Sequence, residues 1–218
     1  MKRTILRQAG VATAALALSV SLAACGSDDD GGNSTANDDN TSEMQDSGEG
    51  SEGDSGETTD AGAETFGPGC SAIPADGAGS FNGMATEPVA TAASANPLLK
   101  TLVSAVTQAK LVDTLNSAEA LTVFAPTDDA FAKIPKDALK GVMADKKMLT
   151  TVLTHHVVAG QLGPDEIAGT HETLAGDMIE VKGSGEEFTV GDENAAVLCG
   201  NIPTANATVY VIDSVLMP

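Results

Sequence analysis

Residues 121–131 read LTVFAPTDDAF. The first half of this stretch is rich in β-branched and aromatic residues and ends at a proline, which is typical of a buried strand. Thr127 then stands where a helix N-cap belongs, and Asp128 and Asp129 follow in the first turn, where negative charge suits the helix dipole. The stretch therefore predicts a buried strand that turns directly into a helix, with Phe131 facing the core.

Helical patterns precede this stretch. Asn96 and Pro97 look like an N-cap followed by a proline at the first helical position. Apolar residues then recur at three- and four-residue spacing as far as residue 109, and a second short apolar stripe covers residues 111–115. Residues 70–95, rich in Ala, Gly and Pro, predict an irregular N-terminal arm.

Downstream, Pro135 is expected to end the helix that Thr127 opens, and another helix begins near Asp145. The apolar side of that helix is predicted to carry Met148, Leu149, Val152, Leu153 and His156.

After Gly160 the apolar period changes from that of a helix to that of a strand. Residues 178–182 and 188–190 flank a Gly-Ser-Gly turn and predict a hairpin. Residues 195–199 and 208–216 predict two more strands. Because helices come first and strands afterwards, the sequence predicts a single α+β domain.

The first 24 residues have the plan of a signal peptide. Three basic residues precede an apolar stretch, residues 10–24, that is shorter than the roughly 20 residues a membrane-spanning helix needs. Residues 22–26, LAACG, resemble the bacterial lipobox, whose cysteine receives a lipid and becomes the mature N-terminus. The resemblance implies lipidation at Cys25 and a membrane anchor. The alternative is an ordinary cleaved signal with an unmodified cysteine.

Residues 25–69 form an acidic segment of Gly, Ser, Asp and Glu, with 13 acidic residues and no basic one. Such a composition buries too little apolar surface to offset chain entropy, and like charges extend the chain. We therefore predict a disordered spacer between the anchor and the folded domain. Its aspartates lack the spacing of a calcium-binding loop.

The charge balance excludes some classes of partner. The formal net charge is -20, and residues 70–218 contain 8 lysines, 18 acidic residues and no arginine. Nucleic acids and anionic lipid headgroups attract proteins through basic surfaces. The sequence therefore argues against nucleic-acid binding and against peripheral attachment to anionic lipid.

Two cysteines remain if Cys25 is lipidated. Cys70 and Cys199 would both lie outside the cytoplasm, where disulfides persist, and two cysteines allow one intramolecular pair. We predict a Cys70–Cys199 disulfide that ties the arm to the C-terminal strands. A metal site that combines these cysteines with histidines is the alternative, although the usual ligand spacing is absent.

Three segments resemble the signatures of fasciclin (FAS1) domains: residues 122–131, residues 153–160 and residues 209–218. The resemblance covers residues 96–218, which we take as the domain. Residues 67–70, 89–97 and 204–210 further resemble the secreted and surface-lipoprotein antigens of mycobacteria. The resemblance implies a β-wedge or sandwich packed with several short helices, an arm-to-strand disulfide, and adhesion or interaction at a cell surface or in the extracellular matrix without catalysis.

The resemblance also marks candidate site residues: Thr127, Asp128, His155, His156 and Asp213. The second signature normally contains Tyr-His, and His155 takes the place of the tyrosine, so the integrin contact linked to that motif in animal relatives does not transfer. We interpret His156 as a core residue that holds the helix end to the sheet, with a ligand contact as the alternative. Asp213 is interpreted as bonding to the backbone at a strand bend, with a binding role as the alternative.

Two short motifs have competing interpretations. Residues 164–167, PDEI, resemble the Asp-Ile adhesion motifs of animal relatives but also suit a helix start. Residues 206–208 match a glycosylation sequon, although we favour a turn there.

Catalysis has weak support in the sequence. Ser184 lies in Gly-Ser-Gly without the full nucleophile-elbow pattern, and the histidines are His155, His156 and His171. Adjacent histidines point about 100° apart on a helix, so a zinc site built on two histidines and an acid is a minor alternative. We predict no enzyme activity, no metal and no cofactor.

These patterns predict a monomeric protein that is exported and lipid-anchored at the outer face of the cell membrane, with part of it released to the extracellular space. Its domain is expected to bind an extracellular protein or glycan. The main alternative is a carrier of a small apolar ligand held between the β-wedge and its helices. A structural spacer in the envelope, without a specific partner, is a third hypothesis.

Overall fold

A computed structural model describes residues 60–218 of the chain. The predicted signal peptide, the predicted lipidation site Cys25 and residues 25–59 of the predicted spacer lie outside this range. Within it, no helix combines the length and the apolar character that crossing a bilayer requires.

The described residues form one seven-stranded sheet with short helices packed on it. The helices are α1 (Phe81–Ala85), α2 (Val89–Ala95), α3 (Lys100–Ala109), α4 (Val112–Ser117), α5 (Asp128–Ala132), α6 (Lys136–Ala144) and α7 (Lys146–His155), and a 3-10 turn covers Pro68–Ala72. The strands are β1 (Leu121–Pro126), β2 (Val157–Ala159), β3 (Gly169–Glu172), β4 (Met178–Ser184), β5 (Glu187–Val190), β6 (Ala195–Pro203) and β7 (Ala207–Ile212).

The strand order is β2-β1-β7-β6-β5-β4-β3. Strands β1 and β7 run parallel, and the other pairs are antiparallel. An isolated bridge between Val158 and Thr173 joins the two ends of this order. The sheet therefore curls into a barrel-like wedge, which confirms the predicted α+β architecture.

The strand at residues 121–126 forms as predicted and is buried along its whole length. It lies between β2 and β7, with Val123 opposite Val209 and Phe124 opposite Tyr210 in the parallel pair. The Thr127 hydroxyl accepts a hydrogen bond from the Ala130 N–H at 3.1 Å and caps α5.

Alternation along the strands separates two apolar clusters. Val123 and Val209 point to the helical side and pack with residues of α3 and α7, such as Leu102 and Leu153. Their neighbours Phe124, Tyr210 and Ile212 point into the other cluster, inside the curled sheet. A one-residue shift of register would exchange these two sets of side chains, so burial on both faces specifies the pairing.

The folded part begins earlier than predicted. Phe66 is buried, pairs with Gly200 through an isolated bridge, and packs its ring 5.5 Å from the ring of Phe188 and 6.2 Å from that of Tyr210. The prediction that the spacer extends to residue 69 is therefore wrong at its end, because one aromatic residue in the acidic segment fills the sheet cluster. Just after it, Cys70 forms a disulfide with Cys199, with their Cα atoms 4.9 Å apart.

The arm is not irregular, since it contains α1 and α2. Asn96 is not the N-cap of α3 either: it is the C-cap of α2, its buried side chain accepts a hydrogen bond from the Leu98 N–H at 3.0 Å, and α3 begins only at Lys100. Helices of five to seven residues have little stability alone, so packing forms them here.

The following region also differs from the expectation. Helix α5 ends at Ala132, before Pro135 as predicted, but Pro135 is also the N-cap of α6, a helix that was not predicted. Met148 is half exposed, although Leu149, Val152, Leu153 and His156 of the predicted apolar side are buried.

Candidate functional site

The five candidate residues occupy three different places. Thr127, Asp128 and Asp213 line one open cleft beside the arm, His155 lines a second cleft, and His156 lies in the core between the helices and the sheet. The structure therefore does not bring the candidates into one site.

The cleft around Asp213 is built from contacts that hold the fold. One carboxylate oxygen of Asp213 accepts the Ala196 N–H at 2.8 Å, and the other lies 2.8 Å from the Lys133 ammonium. Burial acts to raise the pKa of Asp213, but the Lys133 and backbone hydrogen bonds outweigh it and lower the pKa below its usual value. Asp128 accepts the Thr101 N–H at 2.7 Å, which ties α5 to α3.

His156 is buried and fixed in one tautomer. Its Nδ1–H donates to the Val152 carbonyl at 2.7 Å, and its Nε2 accepts the Leu216 N–H at 3.0 Å. Burial lowers the pKa of His156 to about 4, with the Val152 bond opposing and the neighbouring His155 contributing. The ring is therefore neutral at physiological pH and joins the end of α7 to the C-terminal segment.

His155 lies at the wall of an open cleft. Its side chain is only 8% exposed, and Nδ1 is 2.8 Å from a carboxylate oxygen of Asp177. The other oxygen of Asp177 accepts the Thr173 hydroxyl. Burial acts to raise the pKa of Asp177, but the bonds from Thr173 and His155 outweigh it and lower the pKa. We call this region the His155 cleft; it is lined by His155, Asp177, Met178, Glu180, Asp192, Glu193 and Met217.

The rings of the two adjacent histidines are not arranged to bind one metal ion between them. Their ring centroids are 6.3 Å apart and the ring planes are nearly perpendicular. Among residues 60–218, no three His, Cys, Asp or Glu side chains are grouped closely enough to hold a metal ion.

Apolar space lies between the sheet and its helices. A cavity of about 60 Å³ is bounded by α2, α3, α4, α7 and β1, with Leu102, Leu115 and Leu153 among its lining residues. A second cavity of about 40 Å³ lies below α6, and Leu102, Leu153 and His156 border both. The lining contains no charged side chain, so these cavities suit only uncharged groups.

Residues 97–218 match the Fasciclin domain family. The chain belongs to the fasciclin family. It is 48% identical over 166 residues to the immunogenic protein MPB70 of Mycobacterium bovis, covering 72% of this chain and 84% of the relative. It is likewise 48% identical over 167 residues to the cell surface glycolipoprotein MPB83 of the same species, covering 73% and 74%. A solved FAS1 domain pair from the insect cell adhesion molecule Fasciclin I is 21% identical, covers 55% of this chain and 45% of that one, and has a TM-score of 0.46.

The three fasciclin signatures are neighbours in the sheet, at the end of the strand order that begins with β2. Residues 122–131 form β1 and the start of α5, residues 153–160 form the end of α7 with β2, and residues 209–218 contain the end of β7. Since β1 lies between β2 and β7, the signatures together build the strands that separate the two clusters.

Asn206 has a structural role in this fasciclin domain that was not predicted from the sequence. Its side-chain oxygen accepts the Val89 N–H at 2.9 Å, and its amide donates to the carbonyls of Leu115 and Ala118 at 2.8 and 2.9 Å. The buried amide therefore connects α2, the α4 region and the start of β7, and its donor nitrogen is already engaged. The sequon at this position has a structural explanation, as the predicted turn interpretation implies.

The PDEI motif also belongs to the packing of the fasciclin domain. Ile167 is fully buried, and residues 164–166 form a turn rather than a helix start. Nearby, the Tyr210 hydroxyl donates to the Leu162 carbonyl at 2.9 Å. Burial, together with the charge of Glu166, raises the pKa of Tyr210, so the hydroxyl remains a donor.

Proposed function

We propose that this protein is a lipid-anchored surface protein whose fasciclin domain binds an extracellular protein or glycan without performing catalysis. The observation that carries the proposal is the 48% identity to a protein named as a cell surface glycolipoprotein. The fasciclin domain and this likeness support a surface protein. Anchoring through Cys25 at the outer face of the membrane and monomeric action are parts of the proposal.

The histidine environments support a role without catalysis. General base catalysis with a hydroxyl nucleophile requires the nucleophile to contact the base. His155 contacts Asp177, but the Thr173 hydroxyl also bonds to Asp177 and is therefore on the far side of the carboxylate. Both nitrogens of His156 are occupied by backbone groups in the core.

The anchor is tested by Cys25→Ala. Cells are labelled with radioactive palmitate, and the protein is followed in the membrane and medium fractions. The wild-type chain should be labelled and remain in the membrane fraction, while the variant should be unlabelled and either released or unprocessed. A variant that stays labelled and membrane-bound would contradict lipidation at this cysteine.

The interaction role is tested with a domain exchange. One strain carries the wild-type chain, and a control strain carries the same anchor and spacer with residues 60–218 replaced by an unrelated folded domain. Attachment to immobilised matrix proteins and glycans should fall to background in the control strain. Equal attachment by both strains would show that the fasciclin domain is not the binding element.

The apolar cavity between α2, α3, α4, α7 and β1 favours a second candidate, a carrier of a small uncharged apolar ligand. Native mass spectrometry of the purified protein should then detect a stoichiometric bound molecule. Ala93→Leu adds methylenes at the cavity wall and should abolish binding, while Ala132→Leu on the exposed side of α5 should not. An empty wild-type protein would exclude the carrier role.

A further inference from the structure

The geometry points to the His155 cleft as a docking surface for a basic protein segment, one that presents a lysine or arginine beside an apolar side chain. This inference rests on the proposed interaction role and assigns it a surface and a partner chemistry.

Two exposed methionines form the apolar part of the cleft. The exposed fractions of Met178 and Met217 are 59% and 47%, and both line the His155 cleft. A single exposed apolar residue is ordinary, but two at one concave site form a contact area. Methionine adapts its shape to a partner, so these side chains can cover the aliphatic stem of a lysine or arginine.

Carboxylates provide the charge that selects a cation. Asp177, Glu180, Asp192 and Glu193 line the cleft. No lysine or arginine is among the described lining residues, and Lys182, which is exposed, lies 2.9 Å from Glu180. Complementary potentials steer encounter and exclude partners of the same sign, so this cleft favours a basic segment.

Within the domain, the negative charge is concentrated in the C-terminal half of the sequence. Residues 161–218, which form β3 to β7, contain ten acidic residues and one lysine, whereas residues 96–160 contain seven lysines and six acidic residues. Met178 and Met217 both belong to this acidic part of the sequence, and none of the seven lysines of residues 96–160 lines the cleft.

His155 adds a hydrogen-bond acceptor. Its side chain is more than nine-tenths buried and its Nδ1–H is engaged by Asp177. Its Nε2 makes no hydrogen bond within residues 60–218. Every buried side-chain nitrogen or oxygen in that range has a hydrogen-bond partner, so Nε2 is not a buried atom. Nε2 therefore reaches solvent, and in the neutral ring it accepts a hydrogen bond. Lysine and arginine offer donors and no acceptor, which matches this nitrogen and the carboxylates together.

Two of the carboxylates are held in place before a partner arrives. Asp177 is bonded by His155 and Thr173, and Glu193 accepts the Met217 N–H at 2.9 Å. Groups that are already ordered lose less conformational entropy on binding, which favours association.

The test uses the chain from Gly26 to Pro218 with its methionine methyl groups labelled with ¹³C. The probe is a ten-residue peptide of alternating lysine and leucine, added at physiological salt, and NMR follows each methyl signal. The signals of Met178 and Met217 should shift and saturate, while that of Met148, half exposed on α7, should not. The readout is local, so peptide held on the acidic spacer does not contribute. A peptide with glutamate in place of lysine should cause no shift.

Paired charge variants provide the control. Glu180→Gln with Asp192→Asn should weaken peptide binding about tenfold, whereas Glu186→Gln with Glu187→Gln, in the β4–β5 turn, removes the same charge and should weaken it less than about twofold. Met178→Gln should weaken binding, and Met148→Gln should leave it unchanged.

Several outcomes would overturn the inference. The first is an equal loss of peptide affinity in both pairs of charge variants. The second is a shift of the Met148 methyl signal alone, and the third is the same methyl shifts with calcium in place of the peptide. The fourth is methyl shifts caused by neutral oligosaccharides and not by the basic peptide. Failure of this inference can be distinguished from failure of the proposed interaction role. If cells attach through the domain but the peptide does not shift the Met178 and Met217 signals, the interaction role stands and the His155 cleft is refuted as the binding surface.

Discussion

Acid should destabilise this protein through one residue, His156. Both ring nitrogens are bonded to backbone groups in the core, and the pKa falls from 6.5 in a model peptide to about 4 in the fold. Between these pH values the unfolded chain binds a proton at this position and the folded chain does not. The free energy of unfolding therefore decreases as the pH falls from 6.5 to 4, and the full contribution of His156 is present above pH 6.5.

The size of the effect follows from the shift. One pKa unit corresponds to about 1.4 kcal/mol, so the shift of His156 amounts to roughly 3 kcal/mol of stability that is lost between pH 7 and pH 4. Asp177 and Asp213, whose pKa values are lowered, add a further loss below the usual carboxyl pKa. The window between pH 6.5 and 4 therefore reports mainly on histidine.

The assay is denaturant unfolding at several pH values, followed by far-UV circular dichroism with the disulfide oxidised. His156→Gln removes the titrating group but keeps an acceptor within reach of the Leu216 N–H, and His156→Asn keeps a donor for the Val152 carbonyl instead. Both variants should be less stable at pH 7, by about 1–3 kcal/mol, because one buried backbone group loses its partner. Both should also show a flattened pH dependence.

The decisive quantity is the difference between wild type and variant as a function of pH. Because wild type loses this stability on acidification and the variants do not, the difference should change by roughly 3 kcal/mol in favour of the variants between pH 7 and pH 4, which brings it to about zero or reverses its sign. A constant difference across this range would refute the conclusion that His156 is neutral and buried in the fold.

Three further changes test other contacts. Replacing Cys70 and Cys199 by alanine should lower the free energy of unfolding by about 2–5 kcal/mol in urea titrations, and a loss under about 1 kcal/mol would contradict a stabilising disulfide. Asn206→Ala leaves one buried and two partly buried backbone groups without their partner and should cost about 2–3 kcal/mol, seen as a lower thermal midpoint; an unchanged midpoint would contradict its connecting role. Thr127→Ala should cost about 1 kcal/mol in urea titrations by removing the cap on the Ala130 N–H, and Thr127→Ser should restore most of it.

The successes of prediction came from local patterns. The strand at residues 121–126 and its cap at Thr127 could be predicted because a β-rich run, a proline and a capping hydroxyl are signals within a few residues of one another. The hairpin of β4 and β5 followed in the same way from alternation around glycines. The burial of His156 followed from its position on an apolar helix stripe.

The failures have two causes. Helix α6 carries Leu139, Val142 and Met143 at i, i+3 and i+4 and packs them against the core, but Pro135 was interpreted only as a helix stop and not as the residue before a new helix.

The remaining elements have weak local signals. The helices of the arm are too short to form alone, and Phe66 is one aromatic residue in an acidic segment, buried only because the sheet provides a place for its ring. Asn206 was interpreted by its neighbours in sequence, but its partners Val89, Leu115 and Ala118 lie elsewhere in the fold.

The sequence by itself was enough to predict the α+β class, the buried strand at residues 121–126 with its capped turn, and the cysteine pair. Each of these depends on residue type and on the order of residues along the chain. The parallel pairing of β1 with β7, the bridge that closes the wedge, and the separation of Thr127, His155 and His156 into three environments depend on contacts between segments far apart in sequence. The same holds for the His155 cleft, where exposed methionines and carboxylates from separate strands meet. Only packing brings such residues together, since their chemistry in sequence is that of ordinary solvated side chains.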